Sequence, residues 1–382
     1  MDFELDSEHL LVRETARQFA QRELAPLAER MDREDWFPPE IFPRLGRAGL
    51  LGVTVPQAYG GAAADLLAGV LVIEELAKAS PSIALSYAAH DNLCAYNIAR
   101  NGSEEQRRRY LPGLCAGTSI GGLALTEPNA GSDAVGIQTR AVRSGDHYVL
   151  NGSKMFITNG PVASVFVLYA KTAPERGSHG ISAFLVERGF PGFRVARALE
   201  KYGHRGSPTG ELVLQDCLVP AANMVGAENE GIAVMMSGLD IERAFLAGEC
   251  LGIAEAAFDL ALSYARQREQ FGQPIASYQL IQGKLADMYT QIEAARWLAY
   301  RTAALAQTGR RVRKEAAAAI LFAAEMATRV ADHAVQIHGG YGYTLDFAVN
   351  RYLRDAKLLE IGAGTSEIRR LLIARELLEA AG

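Results

Sequence analysis

Apolar residues recur at helical spacing through the first third of the chain, shift to short β-like runs in the middle, and return to helical spacing towards the C-terminus. Residues 7–30 carry the first helical pattern, 36–39 break it and 41–48 restart it. Pro56 and the Gly60-Gly61 pair make 53–61 a loop, and 65–79 and 81–100 read as two further helices. Ser103 with Gln106 forms a capping-box pattern ahead of the next one. From Ile120 the runs 135–142, 147–150, 164–171, 181–187, 193–198 and 211–218 are rich in Val, Ile and Phe and bounded by Gly, Asn, Asp or Pro, the pattern of strands. Helical spacing resumes over 235–272, 278–307, 312–338, 346–359 and 365–378. The pattern predicts an α+β protein with an N-terminal helical domain (1–119), a middle β-domain (120–225) and a C-terminal helical bundle (226–382).

One position on the 235–272 helix breaks its apolar face. Glu242 has Gly238, Leu239, Phe245 and Leu246 as its neighbours three and four residues away, so they share its side of the helix. A carboxylate there is either paired or used. The plain reading is a buried structural acid satisfied by Arg243 or another cation, and the pattern alone favours it. The sharper reading is a general base whose proton affinity is raised by desolvation.

Composition narrows the function classes. At 382 residues the chain exceeds one ordinary core. A formal net charge of −5 argues against a nucleic-acid binder. Cys94, Cys115, Cys217 and Cys250 form no CxxC pair and read as reduced thiols, which with an acidic N-terminus suggests a cytoplasmic protein. No apolar run is long enough to span a membrane.

Three stretches carry candidate chemistry. LALTEPNAGSD (123–133) follows a strand-like segment and offers hydroxyls and backbone N–H groups to a polar ring or phosphate, or is an ordinary polar turn. KMFITNG (154–160) would set the Phe156 ring and a Thr158 hydroxyl on opposite faces of a strand, unless the ring is simply core. QIHGGYGY (336–343) closes a helix, either as a stop or as a place where backbone meets a ligand. No GxGxxG follows a strand, and neither GxxxxGK[ST] nor HExxH occurs. A nicotinamide enzyme, a P-loop NTPase and a zincin are unsupported, and no metal site is expected.

Taken in order, LALTEPNAGSD, NGSKMFITNG, RQREQFGQPI, QIHGGYGY and RDAKLLEIGAGTSEIRR resemble the acyl-CoA dehydrogenase family over essentially the whole chain. The resemblance implies FAD as cofactor, an acyl-CoA substrate desaturated between its α and β carbons, an electron-transfer flavoprotein as electron acceptor, and a homotetramer built as a dimer of dimers. Most members carry the base in a Tyr-Glu-Gly-Thr run, but this chain has Gly362-Ala363-Gly364-Thr365 there. The isovaleryl-CoA branch of the family instead has GAGTSE at that point and its base in a GLDxER segment. This chain has both, and LSYAAHDNLC (85–94) is similar to that branch's pocket helix. Long-chain members share the displaced Glu, so it is the combination that points to the branch. The resemblance assigns the base to Glu242.

Carried over residue by residue, the resemblance places the flavin against Leu123, Leu125, Thr126, Gly131, Ser132, Phe156, Ile157 and Thr158, with Thr365, Ser366 and Glu367 also touching it. Arg268, Gln279, Gln336, Ile337, Gly339 and Gly340 would reach the FAD of a neighbouring subunit. The acyl-CoA would be held by Ser132, Asp240, Arg243, Gly362, Ala363 and Gly364, with Leu85 and Ala89 lining the acyl pocket and Ser178 with His179 contacting CoA from a loop of variable sequence. Three residues depart from the pattern: Phe156 stands for a common Trp, Ala233 for a substrate-contacting Tyr, and Ala88 for a Gly in the pocket helix. Two readings compete with a short branched substrate: a dehydrogenase for straight medium or longer chains, and the DNA-associated flavoprotein relatives, which need a basic surface.

Overall fold

The computed structural model describes residues 4–379. Helix α1 (Ser7–Phe19) is capped by Asp6, whose side chain accepts from the His9 amide. It runs through a π-helical turn, Ala20–Leu24, into α2 (Ala28–Glu34). Helix α3 (Ile41–Arg47) and the loop after it lead to α4 (Leu66–Ala79), capped by Asp65. Helix α5 (Pro81–His90) passes through a second π-helical turn, Asp91–Tyr96, into α6 (Asn97–Asn101). The capping box of Ser103 and Gln106 forms as expected and opens α7 (Glu104–Cys115).

The middle of the chain is a sheet of β1 (Gly121–Ala124), β2 (Arg140–Ser144), β3 (His147–Thr158), β4 (Val165–Lys171), β5 (Ile181–Glu187), β6 (Phe193–Ala198), β7 (Thr209–Pro220) and β8 (Met224–Val225). The strand order is β6-β7-β3-β2-β4-β5-β8, with β1 paired parallel to β4. The strand predicted over 135–142 begins only at Arg140. Upstream of it, the Gln138 and Thr139 amides donate to the Glu127 carboxylate rather than to a neighbouring strand. Strand β4 is buried on both faces. Val165, Val167 and Tyr169 pack with residues of α7, while Phe166, Leu168 and Ala170 join an interior shared with β3 and β7. A strand with two covered faces reads as a continuous apolar run, as VFVLYA does.

Helix α8 (Gly231–Gln267) is the spine of the C-terminal bundle, flanked by α9 (Gln279–Gln307), α10 (Arg313–His338), α11 (Val349–Leu359) and α12 (Ser366–Glu379). It starts four residues before the predicted 235 and ends at Gln267, short of Gly272. A hairpin of β9 (Glu269–Gln270) and β10 (Gln273–Pro274) follows, turned by Phe271 and Gly272 at φ 52° and 78°. The predicted helix stop at Gly272 is therefore a two-residue hairpin loop, whose residues need positive φ. Helix α8 meets α4 backbone to backbone: a Cβ at Gly248 would stand 2.8 Å from the Val70 carbonyl, and one at Gly252 2.2 Å from that of Glu74. The same seam holds buried Glu74 with half-buried Lys78, Glu255 and Arg296 in one ion network. The loop between β6 and β7 is fastened to the bundle by His204, whose Nε2 pairs with Glu249 on α8 at 2.8 Å and whose amide donates to Asp355 on α11.

Candidate active site

Glu242 is only 7% exposed, and its Oε2 is buried with no hydrogen-bond partner. Burial pushes its carboxyl up to about 7, against the opposing pull of Arg243 and Arg369. Arg243 does not satisfy it. Its Nη1 donates to Asp240 at 2.7 Å, and its Nε points at the Ala363 carbonyl at 3.5 Å. Residues three apart share a helix face whereas adjacent ones do not, so Arg243 pairs back to Asp240 and leaves its neighbour alone. The plain reading fails for Arg243 as the hydrogen-bonding partner.

The surroundings of Glu242 come from all three parts of the chain. Tyr169 of β4 feels its charge and accepts a 3.4 Å hydrogen bond from Asn97 of α6. Gly238, one turn earlier, is where a Cβ would come within 3.0 Å of the Asn97 amide nitrogen. Helix α5 lies on the Phe245 side of α8, with the Tyr87 and Phe245 rings stacked 5.9 Å apart. It carries half-buried Leu85 and, each 3% exposed, Ala88 and Ala89. Between α11 and α12, Gly362-Ala363-Gly364 forms a tight turn with Ala363 at φ 53° and Gly364 at φ 89°. A side chain at 362 would find only the Leu358 carbonyl, 3.6 Å away, so the turn leaves space. Thr365 then caps α12 by accepting from the Ile368 amide, Ser366 is buried and Glu367 is exposed.

A second cluster forms where β1 ends. Leu123 and Leu125 lead into the loop bearing Thr126, half-buried, and Gly131 and Ser132, both exposed. The Thr126 carbonyl accepts from the Met155 amide at 2.9 Å, which sets the loop beside Phe156, Ile157 and Thr158. Phe156 sits at φ 60° where the pairing of β3 with β7 slips between Lys154 and Ile157. This bulge turns its ring outward, 66% exposed, while Ile157 is buried and Thr158 half-buried. The expected opposite-face arrangement fails: residues two apart share a face in a regular strand, and the bulge rather than alternation exposes the ring.

The loop is held by a pair that sequence reading missed. Lys154, wholly buried on β3, donates to Glu127 at 2.7 Å and to the Leu125 carbonyl at 3.0 Å. Burial draws Lys154 down to about 8 against the opposing pull of Glu127, so it stays protonated at neutral pH. Burial also acts to raise Glu127, but the charge of Lys154 and the Thr139 and Gln138 donors outweigh it and hold the carboxyl below its usual value. The available signal was a Lys at an inward position of an apolar strand, which demands a nearby anion.

A third cluster lies at the far end of α8. Arg268, Ile337, Gly339 and Gly340 line one pocket of about 490 Å³ with Tyr264 and Tyr341. The Arg268 guanidinium stands 5.7 Å over the Tyr341 ring. Gln336 is exposed on the last turn of α10, and Gln279, exposed, opens α9 after the hairpin. Ser178 and His179 lie on the Pro174–Gly180 segment, which approaches α8.

Two of these clusters thus carry distinct chemistry: a buried carboxylate, unpaired at Oε2, whose neighbour Arg243 reaches the 362–364 turn, and an exposed aromatic ring flanked by residues with hydroxyls. Three family models match in order: Acyl-CoA dehydrogenase, N-terminal domain over residues 6–118, middle domain over 122–217, and C-terminal domain over 229–378. Mitochondrial isovaleryl-CoA dehydrogenase of Pongo abelii is 50% identical over 375 residues, covering 97% of this chain and 89% of its own. Mitochondrial 2-methylacyl-CoA dehydrogenase of Solanum tuberosum is 48% identical over 375 residues, covering 98% of this chain and 91% of its own. Among solved structures, butyryl-CoA dehydrogenase from Megasphaera elsdenii superposes with a TM-score of 0.97 at 42% identity, covering 99% of this chain and 100% of that one. With three domain models matching in order along the chain and relatives about half identical over nearly all of it, this protein belongs to the acyl-CoA dehydrogenase family.

Proposed function

We propose that this chain desaturates a short, branched acyl-CoA, isovaleryl-CoA or a close analogue, between the α and β carbons, with Glu242 as the base. The observation that carries it is the buried Glu242 carboxylate, unpaired at Oε2, sharing its surroundings with the turn at 362–364. A carboxylate pushed up to about 7 is a far better base for a carbon acid than an ordinary Glu; each pKa unit corresponds to about 1.4 kcal/mol. Glu242 takes the α-proton as the β-hydrogen leaves as hydride, and the carbon–carbon double bond forms. The Ala363 amide is the donor this reading assigns to the thioester carbonyl, where charge develops. Gly362 and Ala363 leave room beside the β-carbon for a branch methyl. The names of the two curated relatives, one for isovaleryl-CoA and one for 2-methylacyl-CoA, favour a branched chain.

The residues present fit FAD. Phe156 offers an exposed ring face, Thr126, Ser132 and Thr158 offer hydroxyls, and a side chain at Gly131 would meet nothing within 4 Å. Bound FAD supplies the acceptor for the hydride. We assign its electrons onward to an electron-transfer flavoprotein. The Arg268 pocket belongs, on this reading, to the flavin of a neighbouring subunit. Phe271 (95% exposed), Leu280 (85%) and Tyr343 (89%) are the apolar surface that subunit would cover in a homotetramer.

Glu242→Gln is the test. It should fold and bind FAD and acyl-CoA while flavin reduction in stopped flow slows by about 100-fold or more, the ordinary contribution of a general base. Near-normal bleaching would place the base elsewhere.

A further inference from the structure

Arg369 is 1% exposed, yet its Nε and Nη1 are buried without a hydrogen-bond partner. Its Nη2 donates to the carbonyls of Leu359, at 2.8 Å, and Gly362, at 2.5 Å. A buried donor left without a partner is destabilising, and more so when charged. Glu242 Oε2 is a buried acceptor in the same condition, and each group feels the other's charge. The other charged and titratable groups around them are engaged or neutral. Arg243 is bound to Asp240, and Glu325 of α10 to Arg370 at 2.6 Å. Glu360 takes Lys357 at 2.8 Å. Burial keeps the Cys250 thiol and the Tyr169 phenol protonated.

We propose that Arg369 is a positioning residue for Glu242: its Nη2 ties the end of α11 to the start of the 362–364 turn through the Leu359 and Gly362 carbonyls, and its unspent Nε and Nη1 donors face the ionised carboxylate. The inference rests on Glu242 being the base. The guanidinium stays charged in this site. It therefore offsets part of the desolvation that makes Glu242 basic, and it couples the base to the turn that would hold the thioester. Substrate is gripped and the base is tuned by the same side chain.

The test uses the FAD-loaded enzyme and two readouts: the pH dependence of kcat/KM, and a difference-infrared titration of the Glu242 carboxyl, assigned by its loss in E242Q. In R369Q, which removes the cation, the acid limb and the carboxyl titration should both move up by roughly one pH unit. In R369K the charge remains and both should stay at the wild-type position. The plateau kcat should still fall, because a single ammonium nitrogen that holds the two carbonyls leaves no second nitrogen to donate to the carboxylate. A carboxyl titration unmoved in R369Q, or moved equally in R369K, overturns the proposal and leaves Arg369 a structural residue. If R369Q yields no folded holoenzyme, R369K decides alone: a shifted titration refutes, an unshifted one with reduced kcat supports. Failure of the base assignment reads separately, as near-normal turnover in E242Q, and the carboxyl titration still judges the pairing.

Discussion

Lys154→Met should loosen the 123–133 loop, to which the proposed function gives the flavin, and leave the Glu242 carboxyl unchanged. The substitution is close in volume and sits at a position with no solvent exposure. It removes the donor to Glu127 and the donor to the Leu125 carbonyl. Stripping one partner from a buried ion pair costs about 3–5 kcal/mol. Glu127 keeps three other donors, the Thr139 hydroxyl and the amides of Thr139 and Gln138, so the lower end, about 3 kcal/mol, is expected. Borne locally by the 123–133 loop, that corresponds to about a 100-fold loss of FAD affinity. Borne globally, it lowers the unfolding midpoint. Titrating apoprotein with FAD by flavin fluorescence, beside urea unfolding, measures how the loss divides. The double variant K154M/E127Q should recover part of it, since a neutral amide beside Met leaves no buried charge unpaired. A K154M protein with wild-type FAD affinity and an unchanged urea midpoint would refute the role given to this pair.

Other outcomes follow from the same geometry. In the free enzyme kcat/KM should rise with pH through a midpoint near 7 and level off above it, because on this reading Glu242 must be ionised to act and burial pushes it up to about 7; a limb at an ordinary Glu value of about 4.3 would contradict this. Arg268→Ala should weaken FAD retention and subunit association together, read by flavin absorbance during sedimentation; a variant that stays assembled and holds FAD as wild type does removes Arg268 from the site. Gly362→Tyr should penalise isovaleryl-CoA more than butyryl-CoA in kcat/KM, within the about 1–3 kcal/mol that a methylene-sized difference commands; an octanoyl-CoA preference in the unmodified enzyme would refute the branched-chain reading.

Much of the helical framework was legible because its signals are local. Asp65 caps α4 and Ser103 with Gln106 opens α7 where the sequence pattern puts them. The π-helical turns at Ala20–Leu24 and Asp91–Tyr96 were not, since one extra residue per turn barely disturbs an apolar period. Glu242 stood out because a carboxylate interrupts an apolar face. Its partner state did not, because which acid Arg243 chooses depends on side-chain direction. Lys154 and Glu127, and Arg369 with the Leu359 and Gly362 carbonyls, depend on contacts that only the folded chain creates. The Phe156 bulge was hidden for a similar reason: a left-handed position at a non-glycine residue leaves no mark in composition.

Helix α8 carries Glu242 near one end and delivers the chain to Arg268 at the other, roughly 38 Å of helix apart. Its close seam with α4 forbids bulk at Gly248 and Gly252 and fixes its roll. A mutation along that seam would disturb the surroundings of Glu242 and the pocket lined by Arg268 at once. The turn at 362–364 and the wall of α5 are free of that constraint. Side chains at 362–364 can therefore change without touching that packing, whereas in this chain the placement of Glu242 depends on it.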